Sequence, residues 1–257
     1  MRNRELKSLP VAVRVFPAPA AVGSDSRSGK SWREPEGILV LKTWAKGDAR
    51  QKLLMGCFRV LIDGQCLEEG LFYGDDFSKA DLRELKAYVA RHLAETVTAG
   101  VRHLGLLSRR EFLQVFYDLA YKARCLVVGS NLPFHLSRLA FDAAPARGFF
   151  AGGFSLGLWS YRDKKGRERP NGFRPRICIK YIDNKRALIA FTARNSPDEE
   201  DLIPEGSLSG EPKPGYKFLG HFLDLRTIAF ALTDEGHSLE AVCESFGIRH
   251  GEKHAAS

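Results

Sequence analysis

Apolar and polar positions begin to alternate in earnest at "GILVLKTW", which predicts a strand over 38–44. Two further runs, "KLLMGCFRVLID" and "CLEEGLFYG", flank Asp63-Gly64, and an Asp-Gly pair between strand-like runs predicts a hairpin. The period then changes. From Ser78, the residues Leu82, Leu85, Val89 and Leu93 recur on one helical face. A second helix opens on Ser108-x-x-Glu111, a capping box, and carries Phe112, Val115, Phe116 and Leu119 at i, i+3, i+4 and i+7. A buried strand over 125–129 then runs through Gly-Ser-Asn into a helix starting at Pro133, whose fixed φ suits a first helical turn.

Residues 154–192 change character again, with "FSLGLWSYRD", "FRPRICIKYID" and "RALIAFTAR" reading as three antiparallel strands with basic connections. After a loop over 195–216 rich in Pro, Gly and acids, "GHFLDL" reads as a strand. Asp224 is placed to cap the helix "LRTIAFALT", and Ser238 to cap "LEAVCESF". The chain therefore divides into an arm or linker over 1–36, one domain over 37–250 and a tail over 251–257, with no internal repeat.

At 257 residues the chain can bury a full core, and 39 basic against 31 acidic residues leave +8, a weak pointer to a polyanionic partner. The five cysteines (Cys57, Cys66, Cys125, Cys178 and Cys243) are scattered without a Cys-x-x-Cys pair, which predicts free thiols, no zinc site and a reducing, cytoplasmic setting. No run approaches the ~20 apolar residues a membrane-spanning helix needs, so no membrane partner is expected.

The segment "GSNLPFHLSRLA" resembles the second motif of the DEDD-type 3′–5′ exonucleases of the ribonuclease H-like superfamily. It is most similar to the form found in family B DNA polymerases, Asn-x-x-x-Phe-Asp. Phe134 stands at the phenylalanine and His135 in place of the aspartate, with Asn131 one residue closer to Phe134 than the motif's asparagine. Upstream, "ILVLKTWAKGDARQKLLMG" resembles the first motif, a strand carrying Asp-x-Glu, with Lys42 at the aspartate and Trp44 at the glutamate. Downstream, "FLDLRTIAFALTDEGHSLEAVCESFGI" is similar to the stretch before the third motif, and Asp224 fits it well. The third motif itself, Tyr-x-x-x-Asp, has no counterpart before "GIRHGEKHAAS". The resemblance implies an α/β fold, a ribonuclease H-like mixed β-sheet flanked by helices, with 154–192 as an inserted basic antiparallel β segment.

It also implies chemistry that these residues do not support. Such nucleases cleave phosphodiesters with two divalent ions held by carboxylates, Mg or Mn in an active member. Lys42 would place a cation in that cavity, where like charges ~4 Å apart repel by about 4 kcal/mol at an effective dielectric near 20. Trp44 can only donate a hydrogen bond. His135 could ligate a softer ion but cannot bridge two. The expectation is a degenerate exonuclease-like domain without an intact catalytic set and without a cofactor, retaining nucleic-acid binding at most. One alternative is an active nuclease with a divergent metal site, for which Asp48, Asp142 and Asp224 are the available acids. Others are a non-catalytic module held by a protein partner and the product of a decayed reading frame. Asp75-Asp76 reads as a solvated loop.

The positive evidence for a ligand lies in the insertion. Between Tyr161 and Arg186 stand ten basic residues and three acids, leaving +7. They are interleaved with Trp159, Tyr161, Phe173 and Tyr181. Cations for a phosphate backbone and ring faces for bases are what a single-strand groove requires. The candidate contacts are Lys164, Lys165, Arg167, Arg169, Phe173, Arg174 and Arg176.

Overall fold

The first strand, β1 (Gly37–Ala45), alternates as its sequence demands: Leu39, Leu41 and Thr43 are buried, whereas Lys42 and Trp44 are exposed. In the computed structural model, which describes residues 35–97, 100, 103–192, 218–233, 238–245 and 247, β1 lies inside a six-stranded sheet. It pairs antiparallel with β2 (Leu53–Ile62), which pairs antiparallel with β3 (Gln65–Tyr73). Asp63 and Gly64, with φ of 51° and 74°, make the two-residue turn between Ile62 and Gln65. Left-handed conformations at both turn positions match the strand twist, which is why Asp-Gly is favoured there.

The helix expected from Ser78 is α1 (Lys79–Arg91), capped by the Ser78 side chain, and it buries Leu85 and Val89. It stops earlier than its periodicity suggests. His92 leaves the helix at ψ 134°, and Leu93 is 68% exposed in an isolated bridge to His103. A short strand that the sequence reading missed, β4 (Gly105–Ser108), then adds parallel to the outer edge of β3. Ser108 and Glu111 form the expected capping box of α2 (Arg109–Phe116), which buries Phe112, Leu113 and Phe116 and continues as a π-helical turn through Tyr117–Lys122.

Strand β5 (Leu126–Gly129) lies parallel to β1 on the side opposite β2, and feeds α3 (Leu132–Leu139). The last strand of the sheet, β12 (His221–Asp224), runs parallel to β5 and leads into α4 (Leu225–Thr233) and then α5 (Leu239–Ser245), where Ser238 caps as expected. The order is β12-β5-β1-β2-β3-β4, with β2 the one strand running against the others. The chain is thus α/β, a mixed sheet with helices packed against it. Beneath the sheet the Phe72 and Phe112 rings stack at 3.8 Å, and the core continues through Phe58, Phe116, Val127 and Leu136.

Between α3 and β12 the chain builds a second sheet of four antiparallel strands, β6 (Asp142–Pro145), β7 (Phe154–Gly157), β10 (Ile177–Tyr181) and β11 (Ala187–Phe191). Their order is β11-β10-β7-β6. The three expected strands are there but are shorter than expected. Trp159 turns inward to donate to the Leu113 carbonyl at 2.9 Å, and the chain leaves this sheet to form a separate hairpin, β8 (Ser160–Arg162) and β9 (Glu168–Pro170). The arm up to residue 34, the loop over 195–216 and the tail over 251–257 lie outside the described residues. No helix among the described residues is long and apolar enough to cross a membrane.

Candidate functional site

The chain must turn sharply where β5 ends, because α3 folds back over the sheet. Asn131 makes the turn at φ 61°, ψ 49°, a left-handed conformation that asparagine tolerates better than most residues. Its carbonyl accepts from Phe134 N–H at 3.0 Å, and its side chain makes no capping bond. The cap comes from elsewhere: Leu132 N–H donates to Asp224 Oδ1 at 2.9 Å. The other oxygen of Asp224 accepts from Thr227 Oγ1 at 2.8 Å and from Thr227 N–H at 3.3 Å. One buried carboxylate therefore caps two helices, α3 and α4, and ties β12 to the β5–α3 junction. Its charge suits a place between two helix N-termini.

His135 is buried in the same turn of α3. Its Nδ1 accepts from Thr43 N–H at 3.1 Å and lies 3.0 Å from Thr43 Oγ1. β5 pairs with β1 only as far as Val40, so the Thr43 amide lies beyond that pairing and the imidazole takes its hydrogen bond. Burial pulls the imidazole below its ordinary value and the Lys42 cation acts the same way, while a backbone hydrogen bond at Ser130 and the Asp224 carboxylate oppose them. A ring that accepts through Nδ1 is neutral there.

The neutral state has a consequence for stability. The unfolded chain takes up a proton near pH 6.5, whereas folded His135 resists it. Between the two values the unfolded state binds more protons, so the contribution is full above the unfolded value and is lost as pH falls through the folded one. His221, also lowered, by burial and by Arg124, adds in the same sense. Denaturant midpoints measured from about pH 8 to about pH 5 should fall less in His135→Gln than in wild type. Identical pH profiles would show that His135 is not held neutral.

The two other positions named by the resemblance lie differently. Lys42 and Trp44 point away from the buried Leu41–Thr43 face, and the Lys42 ammonium sits 5.0 Å from the Trp44 ring centre. Strand β1 meets His135 through Thr43, a residue the sequence reading passed over; its only signal was the alternation that put it on the buried face. A two-metal site does not fit these residues. Lys42 is cationic, Trp44 has no acceptor, His135 Nδ1 is engaged by Thr43, and both Asp224 oxygens are engaged by helix donors. The other acids named for a divergent site are apart from one another in role. Asp48 accepts from the Gln51 amide at 2.9 Å in a local turn, and Asp142 pairs with Arg176 at 2.7 Å. Among the described residues no three His, Cys, Asp or Glu side chains are grouped to hold a metal ion.

The basic segment divides in two. Arg176 is structural: it binds Asp142, Ser155 Oγ at 2.9 Å and the Ser155 carbonyl at 2.7 Å. Arg174 packs 4.2 Å from the Tyr117 ring centre and donates to Gln114 Oε1 at 2.6 Å. Trp159 is buried among Phe116, Tyr117 and Phe191. Lys180, Lys185 and Arg186 are half-buried, on the Phe149 carbonyl, the Phe230 ring and Asp183, and the hairpin cations remain at the surface. At the β8–β9 tip Asp163 binds the Lys165 and Arg167 amides at 2.9 Å and the Arg167 and Arg169 side chains at 3.3 and 3.2 Å. Around it Arg162, Lys164 and Lys165 meet no carboxylate at ion-pair distance among the described residues. Tyr161 is 51% and Phe173 79% exposed.

Elsewhere, Asp75 and Asp76 are paired, with Arg109 at 2.7 Å and Lys52 at 2.6 Å. The five cysteines are free, and burial raises the thiols of Cys57, Cys66, Cys125 and Cys178. No protein-family model and no curated protein matches the chain.

Proposed function

We propose that the chain is a ribonuclease H-like domain of the DEDD exonuclease type whose catalytic acids have been replaced, and that it binds single-stranded nucleic acid without cleaving it. One observation carries this reading: the three segments that resemble the family stand side by side. They are far apart in sequence, yet β1, β5 and β12 are adjacent parallel strands, and the Asn131–His135 turn and Asp224 lie toward their C-terminal ends, with Lys42 near the end of β1 on the face turned away from Thr43 and His135. Ligands of open α/β sheets gather at such ends. The binding part of the proposal rests on the β8–β9 hairpin and its neighbour Phe173, whose exposed cations and rings supply backbone neutralisation and stacking.

The test is affinity for a labelled single strand as a function of salt. Each phosphate contact on a single strand contributes about 0.7 to the slope of log affinity against log salt. Reversing Lys164, Lys165 and Arg167 to Glu should weaken binding and flatten that slope by about 2 if all three meet phosphate. Phe173→Ala should cost ~1–3 kcal/mol with the slope unchanged, because stacking releases no counterions. The strand should stay intact with magnesium or manganese present. No affinity at low salt would overturn the reading, and stepwise 3′-end shortening would overturn its non-catalytic part.

A further inference from the structure

The outward face of α3 carries Phe134, Ser137 and Arg138 at i, i+3 and i+4, opposite the buried Leu132, His135, Leu136 and Leu139. Two cavities open along that face. One, of about 320 Å³, lies between α3 and the segments bearing Arg50–Leu53, Asp75-Asp76 and Glu168. The other, of about 680 Å³, lies between α3 and the second sheet, and reaches Tyr181 and Arg226. They share Ser137, Arg138, Ala140 and Phe141, so together they form one groove. Its far cavity is bordered by Asn131 and Phe134 of the second-motif segment, but Lys42, Trp44, His135 and Asp224 do not line it.

We propose that a single strand bound at the β8–β9 hairpin continues through this groove, with Arg138 and Arg226 on phosphates and Tyr181 stacking a base. The proposal rests on the binding function proposed above and adds a path to it. Continuity is the first argument: Glu168, in the hairpin's second strand, lines the near cavity. Electrostatics is the second. The acids along the groove are mostly occupied, Asp75 by Arg109, Asp76 by Lys52 and Asp142 by Arg176, while Glu168 accepts from Ser160 Oγ. Arg50, Arg138 and Arg226 have no carboxylate at ion-pair distance among the described residues, which leaves the groove attractive to a polyanion.

Arg138 stands at the junction of the cavities and is fixed there by neutral acceptors alone. Its Nη1 donates to the Gln51 carbonyl at 2.6 Å, its Nε to Ser137 Oγ at 3.2 Å, and its guanidinium lies 5.0 Å from the Phe134 ring centre. A guanidinium held in position, with its charge unneutralised, suits phosphate recognition. The far cavity has the size of a small-molecule site, and offers the rings of Phe134, Phe141 and the 46%-exposed Tyr181. Ring faces beside cations are the composition that single strands select.

The experiment measures anisotropy of a labelled oligothymidylate of about 12 nucleotides across a salt series. Wild type, the hairpin triple reversal, Arg138→Ala/Arg226→Ala and Tyr181→Ala are compared, with each variant's thermal transition recorded. The double variant should bind at least tenfold more weakly, with a slope lower by about 1.4. Tyr181→Ala, at an exposed position where folding is not at stake, should bind about tenfold more weakly at unchanged slope. If wild type binds and the hairpin variant weakens while Arg138→Ala/Arg226→Ala and Tyr181→Ala match wild type, the groove path is overturned and the hairpin reading stands. If wild type does not bind, both are overturned.

Discussion

Replacing Asp224 with alanine should lower the stability of the domain by about 3–4 kcal/mol, far more than the loss of one exposed cap. The reason is geometric. Its two oxygens serve Leu132 N–H in α3 and Thr227 N–H and Oγ1 in α4, and the residue is only 7% exposed. Alanine removes both caps and leaves donors without acceptors in a place water does not reach easily. Each cap contributes about 1 kcal/mol and each stranded buried donor about 1–3 kcal/mol, with overlap between the two terms. For a domain of this size that is a fall of roughly 10 °C in Tm. Asp224→Asn separates the components: its amide oxygen can replace one carboxylate oxygen, but its NH2 would face a donor. The asparagine variant should fall between wild type and alanine. Chemical denaturation of the three proteins checks the order. An alanine variant within about 0.5 kcal/mol of wild type would show that the double cap contributes no more than an ordinary surface contact.

The same residue shows where sequence was informative and where it was not. That Asp224 starts a helix was legible, because a cap and its helix are neighbours in the chain. That it also caps α3 was not, since Leu132 lies 92 positions away. His135 repeats the lesson: its position in the first turn of a helix could be read, but its partner Thr43 is again 92 residues distant. The β1–β3 meander was legible from alternation and the Asp-Gly turn, and α2 from its capping box. Strands β4 and β6 were not, because four-residue edge strands such as "GLLS" and "DAAP" are too short to show a period. Leu93 fitted the helical period of α1, yet the chain turns extended at His92, and the local sequence carried no glycine or proline to announce it.

The basic segment was legible as a charge but not as a surface. Ten cations in one stretch cannot be sorted by sequence into those facing solvent and those holding the fold. Arg176 finds Asp142 34 residues back, and Arg174 finds Gln114 60 residues back. Both leave the list of simple ligand contacts on that account. The groove beside α3 shows the converse: Arg138, a lone cation in a short helix, gained its place only when Gln51, 87 residues away, fixed it.

Trp159 provides the sharpest separation between holding the fold and holding a ligand. In sequence it is one of four aromatic residues interleaved with cations, whereas in the structure it is 6% exposed and its indole N–H donates to the Leu113 carbonyl at 2.9 Å. Its ring meets Tyr117 edge-on at 5.3 Å and packs near Phe116 and Phe191. It thereby joins the base of the β8–β9 hairpin to α2. Trp159→Ala should cost about 3–5 kcal/mol, the range for deleting a large buried aromatic side chain. Trp159→Phe keeps most of the ring and loses the donor, and should cost about 1–3 kcal/mol. The functional expectation is the opposite of that for Phe173. At a temperature where Trp159→Phe is fully folded, its affinity for a single strand should match wild type, because no base can reach the buried ring. Phe173→Ala, by contrast, should weaken binding and leave the thermal transition in place, since that ring is 79% exposed. Measuring both quantities on both variants gives a crossed result if the assignment is right. A folded Trp159→Phe protein that binds as poorly as Phe173→Ala would place Trp159 in the nucleic-acid interface and would require the hairpin to open when it binds.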